Sequence, residues 1–137
     1  MKTLVIGHGK VYKKNQIRCS PIPVDDWFNE PFDGLDAYPE TEPDILFEIK
    51  TGVWTFANDE TYDRIIDCTG GCISHGGYSF SVRRTYPYIL REVKRVLKQN
   101  GVFYTDLRNG ENYQKKGDVL KRVFKTLKEG TQNIFSS

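Results

Sequence analysis

Short apolar runs, each followed by glycine or an acidic residue, punctuate the first half of the chain. The run at residues 4–6 leads into Gly7–Gly9, and the run at residues 65–66 leads into Asp67 and a Thr-Gly-Gly turn. Apolar runs of this length bounded by glycine are typical of strands that are buried on both faces of a parallel sheet. The pattern predicts four strands: Thr3–Ile6, a short strand ending at Asp36, Ile45–Ile49 and Arg64–Cys68.

The second half changes to a helical spacing. Apolar residues recur at intervals of three and four along residues 85–100, with Pro87 in the first turn and Gly101 at the end. This spacing predicts a helix over 85–100, followed by a strand over 102–105. It also predicts a second helix over 117–130, with Asp118 as its N-cap, and a last short strand within 131–137.

Residues 10–31 differ from both halves, because three prolines interrupt them and no 3.6-residue period is sustained. They predict at most a short helix over 10–18 and then a long irregular segment. Strands joined by helical crossovers predict one α/β domain over residues 1–137, with a mostly parallel sheet and flanking helices. In such sheets, ligands bind at the carboxyl ends of the strands.

Composition limits the setting more than the function. No apolar run approaches the length of about 18 residues that a membrane span needs, and no leader sequence is evident, so we expect a cytoplasmic protein without a membrane partner. Cys19, Cys68 and Cys72 are an odd number of cysteines, which predicts free thiols. Cys68, Cys72 and His75 lack the Cys-x2-Cys rhythm of a zinc knuckle, so no metal site is predicted.

The net charge of +2 conceals an uneven distribution. Residues 1–80 carry 7 Lys/Arg and 13 Asp/Glu, whereas residues 81–137 carry 13 Lys/Arg and 5 Asp/Glu. The basic half fits a phosphate-bearing partner such as a nucleic acid, and it also fits lysines that coat the solvent faces of two helices. The second interpretation is favoured, because no nucleic-acid-binding motif accompanies the basic residues.

The order of the predicted strands, glycine turns and helices along the chain resembles that of class I S-adenosylmethionine-dependent methyltransferases, a family of Rossmann-like α/β domains. The similarity covers residues 2–106 and is closest over residues 89–105, "ILREVKRVLKQNGVFYT". That stretch is similar to the family's helix that precedes paired glycines and a fifth strand, with Asn100-Gly101 in place of the glycines. The resemblance implies a Rossmann-like sheet, S-adenosylmethionine as cofactor and transfer of its methyl group.

The resemblance also implies roles for individual residues. Gly7 and Gly9 match the glycine turn beneath the methionine part of the cofactor, where a missing Cβ permits close approach. Asp36 matches the acid that accepts hydrogen bonds from the ribose hydroxyls, and Glu48 matches the adenine contact. Together, the implied cofactor-binding positions are Gly7, Gly9, Asp36, Ala37, Glu48, Ile49 and Thr69.

The implied catalytic positions are Asp67 and His75, which flank the place where the methyl group would react. Methyl transfer from a sulfonium depends on alignment, and a base is needed only when the acceptor must first lose a proton. His75 is the best candidate for that base; the alternative is an ordinary exposed histidine. Asp67 has an alternative role in fixing the Gly70-Gly71 loop. The acceptor, a small molecule or a macromolecule, is left open.

Several departures from the family favour a second hypothesis. Val5 stands where the family has an acid, Val11 replaces a third glycine, and the C-terminal β-hairpin is expected to be truncated or lacking. These features favour a catalytically inactive binding or scaffold domain, such as a subunit of a larger complex. A sheet that ends early also has an exposed edge, which suggests a homodimer. A nicotinamide-dependent oxidoreductase is disfavoured because the Gly-x-Gly-x-x-Gly pattern fails at Tyr12.

Overall fold

The computed structural model describes residues 1–8, 30–68, 88–104 and 111–124, which contain seven strands and one α-helix. Two 3₁₀ turns, Pro39–Thr41 and Ile49–Thr51, flank the third strand. The helix is α1, Tyr88–Val96. The strands are β1 Thr3–Ile6, β2 Asp33–Asp36, β3 Ile45–Leu46, β4 Tyr62–Asp67, β5 Leu97–Tyr104, β6 Glu111–Lys116 and β7 Val119–Phe124.

All seven strands form one mixed sheet in the order β3-β2-β1-β4-β5-β6-β7. The five strands from β3 to β5 pair in parallel, and β6 and β7 then pair antiparallel. The α/β class is therefore confirmed. Two finer expectations, a mostly parallel sheet and flanking helices, are not supported over the described ranges: β5–β6 and β6–β7 pair antiparallel, and α1 is the single α-helix there.

The hydrophobic core lies between one face of the sheet and α1. Alternate residues along a strand point to the same face, and the pairing of Leu4 with Ile65 and of Ile6 with Leu35 aligns their side chains into one apolar layer. Each buried aliphatic side chain stabilises the fold by about 1.5–3 kcal/mol. The fully buried members of this core include Leu4, Ile6, Leu35, Trp54, Ile65, Val93, Val96, Leu97 and Phe103.

The helix predicted over 85–100 ends earlier than its spacing suggested, at Val96. The carbonyl oxygens of Arg95 and Val96 accept hydrogen bonds from the backbone N–H groups of Glu60 and Thr61, at 2.9 and 2.8 Å. These long-range partners replace the next helical turn. Leu97 then pairs with Tyr62 as the first residue of β5, so that strand begins five residues before its predicted start.

The predicted helix over 117–130 is wrong where the structure describes it, because residues 119–124 form β7. Gly117 and Asp118 make a two-residue turn, with a φ of +61° at Gly117, and Lys116 pairs with Val119 across it. Glycine at the first turn position suits a tight β-hairpin. Asp118 is thus a turn residue and not an N-cap. The hairpin β6–β7 also overturns the expectation that an antiparallel hairpin is missing from the sheet edge.

The remaining expectations about the fold have smaller outcomes. β3 is shorter than predicted, because residues 49–51 enter a 3₁₀ turn. Cys68 is disulfide-bonded, which contradicts the expectation of a free thiol at that position. The predicted helix over 10–18 and the predicted last strand within 131–137 lie outside the described residues. No helix in the described ranges has the length and apolar character that crossing a bilayer requires.

Candidate functional site

The carboxyl ends of three adjacent strands bring predicted site residues to one edge of the sheet. β1 lies between β2 and β4, with Ile6 paired to Leu35 on one side and to Asp67 on the other. Gly7, Asp36 and Asp67 therefore lie side by side along this carboxyl edge. The chain runs from β1 outward to β3 and then crosses to β4 on the other side. In open α/β sheets, such a reversal opens a crevice at the strand ends.

Gly7 turns the chain sharply as it leaves β1. Its φ of +71° is a left-handed conformation that strongly favours glycine, and its N–H donates a 2.8 Å hydrogen bond to the carbonyl oxygen of Leu35. The turn sends His8 back over β2. A Cβ at Gly34 would lie only 2.8 Å from Cδ2 and 3.0 Å from Nε2 of His8. The absence of a side chain at Gly34 thus creates the space that the imidazole fills, and His8 is buried there.

Asp36 is the last residue of β2 and is 7% exposed. Its Oδ1 accepts a 3.0 Å hydrogen bond from the backbone N–H of Tyr38, so the carboxylate stabilises the turn that follows the strand. A turn role of this kind is an alternative to the ribose binding that the resemblance implies for Asp36. The two roles are compatible, since a carboxylate has about four acceptor sites on its two oxygens.

Asp67, the last residue of β4, is 2% exposed and lies across β1 from Asp36. Asp67 shares a sheet face with Ile6 and Ile65, whereas Asp36 shares the opposite face with Gly34, by the alternation of side chains along each strand. Two strand spacings separate them, about 10 Å. The two acids therefore do not form a carboxylate pair on one reacting group, but they can contact different parts of one extended ligand.

The other described positions that the resemblance assigned to the cofactor, Ala37, Glu48 and Ile49, have the following surroundings. Oε1 of Glu48 accepts a 3.2 Å hydrogen bond from the N–H of Lys50 and caps a 3₁₀ turn. The carbonyl oxygen of Ile49 accepts a 3.2 Å hydrogen bond from the indole N–H of Trp54, and the Ile49 side chain packs on the core. Ala37 is half-buried beside Asp36. Gly9, Thr69 and His75 lie outside the described residues, and so do Cys72 and Cys19.

A second polar cluster lies at the opposite, amino edge of the sheet. Glu92 of α1 is 4% exposed, and its Oε1 accepts a 2.8 Å bond from the backbone N–H of Trp54 and a 3.1 Å bond from Arg95. Arg95 also donates to the carbonyl oxygens of Trp54 and Ala57 and to Asp59. Burial by itself raises the pKa of Glu92, but these donors outweigh it and the net pKa is lowered.

A cavity of about 580 Å³ opens beside this cluster and is the larger of the two cavities characterised in the described part of the chain. Four acids and four bases line it, so its net charge is zero and it favours neither an anion nor a cation. Because the cavity lies beside the Glu92–Arg95 cluster, it does not coincide with the carboxyl edge, where the sequence predicted a site. Its charged residues are Asp59, Glu60, Glu92, Asp118, Arg91, Lys94, Arg95 and Lys115.

Two features of the carboxyl edge escaped sequence reasoning. The burial of His8 over Gly34 depends on which residue of β2 lies beside the turn, and no local pattern reports that. Tyr104, the last residue of β5, is fully buried on the face that also carries Asp36; its position at the end of an apolar run was the available signal. In the described ranges, no three His, Cys, Asp or Glu side chains gather closely enough to hold a metal ion.

Neither protein-family models, nor curated proteins, nor solved structures give a match to this chain.

Proposed function

We propose that this chain binds S-adenosylmethionine along the carboxyl edge of β2, β1 and β4, as a Rossmann-like methyltransferase domain. The single observation that carries the proposal is the strand order. In the order β3-β2-β1-β4-β5 all strands are parallel, but β2 and β3 are added on one side of β1 whereas β4 and β5 are added on the other. Gly7, Asp36 and Asp67 lie at the strand ends beside this switch point. This is where open α/β sheets hold their ligands.

The residues at this edge fit the chemistry of the cofactor. A ribose diol needs acceptors, and the Asp36 carboxylate provides them at the end of β2. The turn at Gly7 brings backbone rather than a side chain against the methionine part. Asp67, on the far side of β1, lies towards the methyl group, and His75 is the proposed base for an acceptor that must lose a proton. When bound, S-adenosylmethionine supplies a sulfonium methyl group to an acceptor aligned with it.

Calorimetric titration with S-adenosylmethionine and S-adenosylhomocysteine tests the cofactor. We expect a dissociation constant in the micromolar range, which corresponds to a binding free energy of about −8 kcal/mol. The informative variant is Asp36→Asn, because the amide oxygen still accepts the bond from Tyr38 N–H while the charge-assisted acceptor for ribose is lost. Its affinity should fall about tenfold, or about 1.4 kcal/mol. Glu40→Gln, an exposed acid four residues away, is the matched control and should bind normally.

The absence of binding up to about millimolar ligand would overturn the proposal. Equal affinities of wild type and the Asp36→Asn variant, with measurable binding, would show that the ribose lies elsewhere.

The second candidate is the same domain without catalysis, acting as a binding or scaffold subunit. It is favoured by the turn roles of Asp36 and Glu48, whose carboxylates each accept a nearby backbone N–H. Measuring S-adenosylhomocysteine release in the presence of RNA, peptide and small-molecule pools separates the candidates. Release that depends on one pool and is lost in the Asp67→Asn variant supports the enzyme. Micromolar cofactor binding without release in any pool favours the binding domain.

A further inference from the structure

Charge is separated across the width of the sheet. The described residues up to Cys68 carry 3 Lys/Arg and 11 Asp/Glu, and those from Tyr88 onward carry 8 Lys/Arg and 3 Asp/Glu. The first group builds β1 to β4, and the second builds α1 and β5 to β7. Because the sheet order keeps these groups apart, the asymmetry along the sequence becomes an asymmetry in space.

The two outermost strands of the sheet, β3 and β7, are electrostatically independent of each other. Six strand spacings separate β3 from β7, about 29 Å, whereas the Debye length at physiological ionic strength is about 8 Å. Each edge therefore selects its own partner by its own charge.

The acidic edge, which we define as residues 38–46, combines acids with exposed apolar side chains. Glu40, Glu42 and Asp44 are exposed, and residues 36–48 contain no Lys or Arg. Tyr38 and Leu46 are 63% and 58% exposed. Lys50, also exposed, is the nearest opposing charge along the chain. An apolar centre with a charged rim is the usual composition of a protein–protein contact.

The basic hairpin, β6–β7, has the complementary composition. Lys116 pairs with Val119 across the turn, and Lys121 follows Val119 by two residues, so all three project from one face. Both lysines are exposed and Val119 is 52% exposed. Asp118, in the turn, is the opposing charge on this surface.

We propose that the acidic edge of one copy of this chain docks on the basic hairpin of another copy. A second copy supplies both complementary charge and a complementary apolar patch, Tyr38 and Leu46 against Val119. This contact is heterologous, so it joins copies head to tail rather than as a symmetric pair.

A nucleic acid fits the hairpin less well. The hairpin lysines lie towards the amino edge of the sheet, away from the carboxyl edge where we propose that a methyl acceptor reacts. Over residues 112–123, where side-chain exposure is described, the hairpin also has no aromatic side chain among its large exposed apolar residues on which a base could stack.

Sedimentation velocity on the full chain tests the contact. In about 10 mM salt, where the Debye length is about 30 Å, wild type should self-associate in a concentration-dependent way, and about 1 M salt should weaken this at least tenfold. The variants Glu40→Lys/Glu42→Lys and Lys116→Glu/Lys121→Glu should each be monomeric alone. Mixed together, they should associate with each other, because one keeps the native hairpin, the other keeps the native acidic edge, and the two reversed surfaces are again opposite in charge.

Neutral variants, Glu40→Gln/Glu42→Gln and Lys116→Gln/Lys121→Gln, guard against misfolding and should also weaken association, by a smaller factor. Far-UV circular dichroism checks that every variant is folded. A wild type that stays monomeric in low salt overturns the proposal, and so does a mixture of the two charge-reversed variants that does not associate. Tight binding of a single-stranded RNA oligonucleotide by a monomeric wild type, lost in Lys116→Glu/Lys121→Glu, would instead assign the hairpin to a polyanion and overturn it as well.

Discussion

The amino edge and the carboxyl edge of the sheet use buried polar groups differently. At the amino edge, Glu92 accepts bonds from Trp54 and Arg95, and Arg95 reaches the carbonyl oxygens of the neighbouring loop. This network ties a loop to a helix and is sufficient to explain its own burial. At the carboxyl edge, Asp36 and Asp67 are separated by β1 and directed to opposite faces. Buried charge at the amino edge therefore serves stability, and at the carboxyl edge it belongs to the residues that we propose to contact a ligand.

The largest effect is expected from Glu92→Ala at the amino edge. The substitution removes the acceptor for the buried N–H of Trp54 and leaves Arg95 with the exposed Asp59 as its acidic partner, in place of the buried Glu92. We expect a loss of about 3 kcal/mol in the free energy of unfolding, measured by urea denaturation. The affinity for S-adenosylmethionine, measured on the folded variant, should not change.

Glu60→Ala is the matched control for that measurement, because Glu60 lines the same cavity but is exposed. Its effect should stay within about 0.5 kcal/mol. A loss below about 1 kcal/mol for Glu92→Ala would mean that the network contributes little to stability. A fall in cofactor affinity would mean that the two ends of the sheet are coupled.

The next effect is expected from Gly34→Ala, which tests the packing of His8. Alanine in a strand normally stabilises by about 0.5–1 kcal/mol relative to glycine, but here its Cβ would lie 2.8 Å from the imidazole. We expect a net loss of about 1–2 kcal/mol by urea denaturation. Cofactor affinity should also fall, because displacing His8 disturbs the adjacent Gly7 turn.

A double-mutant cycle supplies the control for Gly34→Ala. In a His8→Ala background the ring is absent, so the same substitution should be neutral or stabilising. Equal costs in both backgrounds would show that the imidazole does not fill the space above Gly34.

The strand ends of the carboxyl edge were predictable because each depends on a short local signal. The apolar runs before Gly7, Asp36 and Asp67 predicted strands that end at these positions, within a residue in each case. Parallel strands share a carboxyl edge, so predicting the strands was enough to place the residues together. The lateral contact of His8 with Gly34 was not predictable, because it depends on the alignment of two strands that are far apart in sequence.

The amino edge was less predictable, because its elements end where distant residues intervene. Residues 97–100 continue the helical spacing of α1, yet they form a strand, since Glu60 and Thr61 satisfy the carbonyl oxygens at the helix end. The spacing of Val119, Leu120, Val123 and Phe124 fits a helix as well as a strand. The deciding signal was Gly117-Asp118, a two-residue turn between two runs of similar length.

The smallest effect is the pH dependence that Glu92 contributes. Its pKa is lowered in the folded chain, because the donors Arg95 and Trp54 N–H outweigh the effect of burial. A lowered folded pKa gives stability that is present above the usual value of 4.5 and is lost as pH falls through the folded value. Glu92→Gln keeps a neutral acceptor for Trp54 and removes this ionisation. The difference in urea midpoint between wild type and the variant should therefore shrink as pH is lowered from about 7 to about 3, since the other carboxylates titrate in both proteins. A constant difference over that range would show that charge at Glu92 does not stabilise the amino edge, and that its hydrogen bonds act through geometry alone.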